Sequence, residues 1–181
     1  QLETTVRNTT DDEITLDVID AGMADLATLA PFIPGAGFDG DPPDGGRTML
    51  VMVSHRNDMA VGAYRTEGNL VEGVFTALSD EFELVAAQGD TLDLAPGEEG
   101  SYTRWIAVGR DQATLEEHRR QVQGLSTATV EGTVALEGSS TPVAGARVFL
   151  TDLEGNPEAL AFSDDDGRFS IVYEAGDHQL V

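Results

Sequence analysis

The chain has 181 residues, enough to bury at least one core, and 40% of them are hydrophobic, which is ordinary for a globular protein and too high for a disordered one. Its formal charge of −23 comes from 33 acidic residues against 10 basic ones, all of them arginine. Such a surface repels phosphate backbones and anionic lipids, which disfavours nucleic acid and membrane surfaces as partners. No apolar run approaches the ~20 residues that cross a bilayer, so no membrane insertion is predicted.

Cysteine is absent, so the fold must be held by core burial rather than by disulfides. That suits a bacterial exported protein better than a small secreted animal one, and we expect an extracellular, periplasmic or cell-surface location. The excess of acid favours calcium binding or a salty medium, although an acidic surface that only keeps the protein soluble explains it more simply.

Residues 1–110 contain a series of predicted strands separated by turns rich in Gly, Asp and Pro. Over Glu13–Asp20, the apolar Ile14, Leu16 and Val18 alternate with polar residues, which is the period of a half-buried strand. Other strands are predicted at 2–8, 49–53, 59–65, 70–77, 82–86 and 101–109. Strands so closely spaced, with little helix between them, indicate an antiparallel sandwich.

Two stretches inside this region have distinctive compositions. Residues 21–47 include PFIPGAGFDGDPPDGG, whose density of Pro and Gly predicts a long loop rather than regular structure. Met49–Val53 (MLVMV) is a nearly unbroken apolar run, which predicts a strand that is buried on both faces.

One segment has a convincing helical pattern. Asp111 is a suitable N-cap for QATLEEHRRQVQ, and a glycine follows the last turn. Leu115 and Val122 form a narrow apolar stripe, and Glu116 precedes two arginines at helical spacing, a pattern that supports an exposed helix. We therefore predict an exposed helix that connects two domains.

The strand pattern returns after the helix, at 129–136, 146–151, 160–163 and 168–173, with a last strand beginning at 177. Phe169, Ile171 and Tyr173 alternate on one face of the fourth of these. The chain stops within the last strand, at HQLV. Because an unpaired apolar edge is an aggregation hazard, this favours a domain that is incomplete at its C-terminus.

Three stretches after the helix carry a family resemblance. VEGTV has Gly132 between two valines, PVAGARVFL places Gly145 at the turn into a strand, and SDDDGRFSI sets Gly167 in an acidic hairpin before another. A glycine can adopt the positive φ that tight turns require. Together the stretches resemble the carboxypeptidase regulatory-like domain, a small sandwich of the transthyretin (prealbumin-like) type.

The resemblance implies a non-catalytic accessory module, of a kind that recurs in exported bacterial proteins and beside metallopeptidase domains. Where the family usually has a tyrosine after the glycine of its closing strand, this chain has His178 after Gly176. Upstream, LAPGEEGSYTRWIAVG resembles the closing strands of sandwich domains in large bacterial surface proteins and hydrolases. Some of those proteins carry a metal-dependent phosphoesterase domain of the PHP type further downstream.

A search for catalytic motifs is negative: HExxH, GxSxG and the P-loop are all missing from the sequence. Ser54, His55 and Asp58 supply the residue types of a catalytic triad. Adjacent residues on a strand point to opposite faces, however, so we do not expect Ser54 and His55 to share a proton. No catalytic or cofactor-binding residue is therefore predicted.

Two acidic loops have the composition of a calcium site, which needs ~6–8 oxygen ligands. The first contains Asp39, Asp41 and Asp44, and the second is Asp164–Asp166. Neither fits the EF-hand pattern, and polar turns that cap strands explain both more simply. They remain the weak calcium candidates, and no other metal ligand is predicted.

Aromatic residues on one predicted strand raise the possibility of glycan binding. Tyr102 and Trp105 alternate with Ile106 and Val108 along 101–109, and exposed aromatics there would form a platform for sugar rings. A single tryptophan on a strand more often belongs to the core.

The sequence thus predicts an all-β protein: a β-sandwich domain at 1–110, a connecting helix and linker at 111–126, and a prealbumin-like sandwich at 127–181. The predicted function is a non-catalytic structural or accessory region of a larger exported bacterial protein, whose partners are the other domains of the parent chain. One alternative is the N-terminal accessory region of a metal-dependent hydrolase, a PHP-type phosphoesterase or a peptidase. The other is a carbohydrate-binding module.

Overall fold

The computed structural model describes residues 1–25, 27–38, 48–68, 70, 72–77 and 82–181. Over these residues the chain is mostly strand with one helix, which confirms the predicted all-β, two-domain architecture. No helix in the described part of the chain is long and apolar enough to cross a membrane.

The described strands before the helix form two antiparallel sheets. Their strands are β1 (Leu2–Arg7), β2 (Ile14–Asp25), β3 (Leu29–Phe32), β4 (Leu50–Ser54), β5 (Ala60–Arg65), β6 (Glu72–Ala77), β7 (Phe82–Leu94) and β8 (Glu99–Gly109). One sheet has the order β1-β8-β5-β4-β3 and the other the order β2-β7-β6.

The helix and the strands after it form the second part. β11, β10 and β13 form one sheet in that order, and β12 pairs with β9 in another. The bounds are α1 (Gln112–Gln123), β9 (Ala128–Thr133), β10 (Arg147–Thr151), β11 (Pro157–Phe162), β12 (Arg168–Tyr173) and β13 (Gln179–Leu180).

The predicted loop at 21–47 and the predicted strand end at residue 86 are both wrong in part. β2 continues to Asp25 and β7 to Leu94 because the two strands pair with each other along this whole length. β3 also falls within the predicted loop, and it contains Pro31. β3 is the edge strand of its sheet, a position at which proline is tolerated.

The prediction that β4 is buried on both faces is confirmed. Val51 and Val53 face a core that includes Phe32, whereas Leu50 and Met52 face a second cluster with Leu70 on the other side of the sheet. Successive strand residues point to opposite faces, so an unbroken apolar run is what two covered faces require.

β11 gives the two parts of the chain a common core. Its Leu160 and Phe162 pack in the same cluster as Val51 and Tyr64 of the first sheet and Leu115 of α1. The alternate β11 residues, Ala159 and Ala161, face the other way and pack in the core of the second part with Ile171 of β12. Phe169 and Tyr173, on the same face of β12 as Ile171, pack against this core and are partly buried. The predicted alternation of these three β12 residues is therefore confirmed.

The acidic hairpin before β12 depends on its glycine. Gly167 has a φ of 74°, and a Cβ built there would lie 2.4 Å from the carbonyl oxygen of Val134. Gly138 also has a φ of 74°, but a Cβ there would meet nothing within 4 Å. The two positions share the backbone conformation and differ in the space around it.

We predict that Gly167→Ala lowers the free energy of unfolding by about 1–3 kcal/mol more than Gly138→Ala does, because only the former drives a methyl group into backbone. Urea denaturation of both variants measures this difference. Equal losses would mean that the contact with Val134 carries no weight and that the left-handed φ is the whole cost.

Candidate functional site at the helix junction

α1 is buried between the two parts of the chain, so the prediction of an exposed helix is wrong. The sequence pattern shows a narrow apolar stripe, but the buried face of the helix is wider and largely polar. Its members are Gln112, Ala113, Leu115, Glu116, Arg119 and Arg120. We call these residues, with Asp111, the α1 junction.

Asp111 ties the start of the helix to β11. One carboxylate oxygen, Oδ1, accepts hydrogen bonds from the backbone N–H of Thr114 at 2.9 Å and from its hydroxyl at 2.6 Å, which confirms the predicted N-cap. The other oxygen, Oδ2, accepts from the backbone N–H of Phe162 at 3.0 Å. A single side chain therefore caps the helix and satisfies a buried strand amide.

Gln112 satisfies a second buried backbone amide on the same edge of β11. Its Oε1 accepts from the backbone N–H of Leu160 at 2.8 Å, and the side chain is fully buried. In the part of the chain that the structure describes, β11 lies at the edge of its sheet, so these amides have no neighbouring strand on that side. A buried unpaired N–H costs about 1–3 kcal/mol, and the two helix side chains remove that cost.

Glu116 forms a buried ionic network with the two arginines that follow it. Its Oε2 accepts from Arg119 Nε at 2.9 Å, and its Oε1 accepts from Arg119 Nη2 at 2.6 Å and Arg120 Nε at 2.7 Å. All three side chains are at most 5% exposed. Because Arg119 bonds to both carboxylate oxygens, the pairing fixes the orientation of the two side chains as well as neutralising their charges.

The network extends into both parts of the chain. The Arg120 guanidinium lies 4.3 Å from the centre of the Tyr173 ring, and its Nη2 is 3.6 Å from Glu174 Oε2, at the end of β12. On the other side Arg119 donates to Gln123, whose Nε2 donates to the carbonyl oxygens of Arg65 at 3.2 Å and Gly68 at 2.9 Å. The helix therefore contacts the second part through Arg120 and the first part through Gln123, which Arg119 orients.

His118 adds a further contact with the first sheet. The Tyr64 hydroxyl hydrogen-bonds to His118 Nδ1, and the Trp105 ring meets the imidazole edge-on with centroids 5.1 Å apart. Tyr64 is fully buried. Burial raises the pKa of Tyr64 to about 12, against the opposing effect of Arg119. Burial also raises the pKa of Tyr173 to about 12, and Glu158 adds to that increase.

Asn57, in the turn between β4 and β5, makes another contact between the two parts. Its φ of 58° is left-handed. Its Nδ2 donates to the carbonyl oxygen of Gly145 at 3.1 Å, and its Oδ1 accepts from Arg147 Nε at 3.0 Å. The Arg147 guanidinium also lies 4.9 Å from the centre of the Phe38 ring. No sequence pattern marked this asparagine, because both of its partners are distant in the chain.

Ser54, His55 and Asp58 do not form a triad. The Ser54 hydroxyl donates to Asp58 Oδ1 at 2.8 Å and accepts from the backbone N–H of Arg56 at 3.1 Å. Ser54 is buried and His55 is exposed. The serine hydroxyl therefore donates its hydrogen bond to a carboxylate across the tight turn that connects β4 to β5, and it stabilises that turn.

The acidic loop Asp164–Asp166 is organised by hydrogen bonds to its own backbone. Asp164 Oδ1 accepts from the N–H groups of Asp166 at 2.9 Å and Arg168 at 2.8 Å. Asp39, Asp41 and Asp44 lie outside the described residues. Among the residues that the structure describes, no group of three or more His, Asp or Glu side chains is placed to hold a metal ion.

The aromatic residues of β8 do not form an exposed pair. Tyr102 and Trp105 are an odd number of positions apart, so they lie on opposite faces of the sheet. Tyr102 is buried, and Trp105 is half-buried against His118. The expectation of an exposed aromatic platform on this strand is therefore wrong. Its exposed large side chains are those of Ile106 and Val108.

No family model, curated protein or solved structure matches this chain.

We predict that Glu116→Gln lowers the free energy of unfolding by about 3–5 kcal/mol, because it leaves two buried guanidinium groups without their carboxylate. Glu117→Gln is the matched control, since Glu117 accepts a hydrogen bond from the exposed Gln121 side chain; we expect a change within about 0.5 kcal/mol. Urea denaturation measures both. Similar losses in the two variants would show that the Glu116 network does not hold the junction.

The raised pKa values of two tyrosines, the fully buried Tyr64 and the partly buried Tyr173, predict alkaline sensitivity. The folded pKa values of Tyr64 and Tyr173 are raised from 10.0 to about 12, so their stabilising contribution is complete below pH 10 and is lost as pH rises through 12. The free energy of unfolding should therefore fall over this interval, by on the order of 2 kcal/mol per tyrosine. Denaturation at several pH values with Tyr64→Phe and Tyr173→Phe measures it, and an unchanged slope in both variants would contradict the assignment.

Calcium is expected to leave stability unchanged, because the Asp164 carboxylate already caps its turn. Melting temperatures in EDTA and in millimolar calcium should agree. A rise of several degrees with calcium would reveal a site, and Asp164→Asn and Asp166→Asn would then show whether this loop holds it.

Proposed function

We propose that this chain is a non-catalytic structural or accessory region of a larger exported bacterial protein, in which the α1 junction holds two β-sandwich parts as one rigid unit. The observation that supports this most directly is the buried Glu116 network: Arg120 pairs with Glu174 of the second part, and Arg119 bonds to Gln123, which donates to backbone carbonyls of the first. The partners of such a region are the neighbouring domains of the parent chain, outside the cytoplasm or at the cell surface.

A buried ionic network suits a rigid connection better than a flexible one. Burying charged groups costs several kcal/mol each unless their geometry is well satisfied, and here the Glu116 carboxylate bonds to both guanidinium groups while the two parts of the chain cover them. A flexible linker between domains would instead be polar, exposed and rich in Gly or Ser. The shared core around Leu115 and Phe162 adds apolar burial to the same arrangement.

The rigidity can be tested with a pair of spin labels, because the chain has no native cysteine. Glu3→Cys lies on β1 and Thr129→Cys lies on β9, and both positions are exposed. We predict one narrow distribution of label-to-label distances by pulsed electron spin resonance. Adding Glu116→Gln should broaden it, whereas adding Glu117→Gln should not. A broad distribution in the doubly labelled parent would overturn the proposal.

The same unit would also serve as the N-terminal accessory region of a metal-dependent hydrolase, either a PHP-type phosphoesterase or a peptidase. The resemblance of LAPGEEGSYTRWIAVG to domains upstream of such enzymes favours this alternative. The full reading frame decides it, because a downstream domain rich in His and Asp would supply the metal ligands.

A carbohydrate-binding role is the weaker alternative, since Tyr102 and Trp105 are not displayed together. A glycan array with the parent and with Trp105→Ala tests it. Signal that disappears in the variant would support it, and no signal from the parent would remove it.

A further inference from the structure

A groove lies on the first part of the chain, between the turn before β3, the β4–β5 turn and the end of β8. Its volume is about 810 Å³, and its apolar lining residues include Leu29, Met59 and Val108. Met59 and Val108 are 38% and 68% exposed. Val108 pairs with Val61, and Met59 is two positions before Val61, so both side chains lie on the same face of the sheet. We call this site the docking groove.

Backbone hydrogen bonds hold the walls of the docking groove in place. The N–H of His55 donates to the carbonyl oxygen of Thr28 at 3.0 Å, which joins the β4–β5 turn to the turn before β3. The N–H of Ser54 donates to the carbonyl oxygen of Met59 at 2.8 Å, across the base of the β4–β5 turn. A groove whose walls are already ordered binds a partner at a lower entropy cost than one that must be formed by it.

Two arginines line the docking groove without a carboxylate partner. Arg56 lies in the β4–β5 turn and Arg110 follows β8. Among the described residues neither guanidinium forms an ion pair, although the chain has 33 acidic residues and only 10 arginines. Asp58, the carboxylate in the described lining, already accepts a hydrogen bond within its own turn. An apolar lining with unpaired cations suits a partner that combines an aliphatic side chain with carboxylates.

The β10–β11 turn of the second part has that chemistry. Leu153 is 60% exposed and lies between Asp152 and Glu154. Asp152 accepts hydrogen bonds from the backbone N–H of Asn156 at 2.8 Å and from its side-chain amide at 2.7 Å. The bond from the Asn156 side chain is also the main cause that lowers the pKa of Asp152, so this carboxylate is ionised at neutral pH. The turn therefore presents an aliphatic side chain and two carboxylates on an ordered backbone.

The turn and the docking groove of one molecule lie on different sides of the first sheet. The second part packs, through Phe162, on the face of the sheet that carries Val51. Val108 lies on the opposite face, because its partner in β5 is one position away from the partner of Val51. The turn is also at the far end of β10 from the contact between Arg147 and Asn57, about 16 Å along the strand. The turn can therefore reach the docking groove of a second copy, but not its own.

We propose that the Asp152–Glu154 turn of one copy of this chain docks in the docking groove of a second copy. Leu153 then packs against the apolar lining, and the two carboxylates lie beside Arg56 and Arg110. Because the two surfaces differ, each copy uses its turn toward one neighbour and its docking groove toward another, so the contact extends head to tail.

This contact is weak and depends on salt. One leucine and two exposed ion pairs form a small interface, for which a dissociation constant on the order of 0.1–1 mM is expected. The net charge of −23 on each copy opposes association. At ~0.15 M salt the Debye length is about 8 Å, which screens most of that repulsion, while the charges in contact lie closer together than this length.

Amide chemical shifts of the nitrogen-15-labelled chain, measured from about 0.05 to about 1 mM protein in ~0.15 M salt, test the contact. We expect the amides of the docking groove and of the β10–β11 turn to shift with concentration. Arg56→Glu combined with Arg110→Glu (the groove variant) and Leu153→Ser (the turn variant) should each weaken association at least about tenfold. Leu136→Ser is the matched control, because Leu136 is 57% exposed in a different turn; it should associate as the parent does.

A mixture of the two variants distinguishes a head-to-tail contact from a symmetric one. The groove variant keeps an intact turn and the turn variant keeps an intact groove, so the mixture should form one-to-one dimers that cannot extend. In that mixture the labelled groove variant should shift only around Leu153. If the groove variant fails to fold, Val108→Ser replaces it, since this residue is also exposed.

Three results would overturn the proposal: no concentration dependence in the parent, a turn variant that associates as the parent does, or a mixture of the two variants that stays monomeric. Shifts in the docking groove caused by hexanoate, in a parent that does not self-associate, would also overturn it and would assign the groove to a small aliphatic anion instead.

Discussion

One buried carboxylate between two buried guanidinium groups constrains the whole structure. Glu116 can lie inside the protein only because Arg119 and Arg120 both bond to it. Beyond the helix, Arg120 lies against Tyr173 of the second part, while Arg119 bonds to Gln123, whose amide donates to the first part. The buried face of the helix therefore contacts both parts of the chain at once.

Apolar patterns predicted those strands whose own sequence specifies which of their faces are buried. β4 and β12 are the clear cases, since MLVMV and the alternating Phe169, Ile171 and Tyr173 each define which faces are buried. β3 and the end of β2 were missed because long-range pairing overrides a composition rich in Pro and Gly. A local pattern contains no information about a partner strand that lies far along the chain.

The junction escaped prediction for a different physical reason. Residues 112, 115, 116, 119, 120 and 123 follow the spacing of one helix face, but most of them are polar, so a search for apolar stripes finds only part of that face. Asp111 was predicted as an N-cap from its local position, whereas its second oxygen serves Phe162, which no local rule can foresee. Ser54 and Asp164 show the opposite case. Their residue types suggested a catalytic triad and a calcium site, but each side chain hydrogen-bonds within its own turn.

The central claim, that α1 makes one cooperative unit of the two parts, is tested most directly by native-state hydrogen exchange in increasing urea. The backbone amides of Leu160 and Phe162 donate to Gln112 and Asp111, and the β5 and β8 amides report on the first sheet. We predict that both groups exchange through the same opening, with equal free energies and equal dependence on urea. Exchange of β9–β13 through a separate opening of lower free energy, while the first sheet stays protected, would contradict the account.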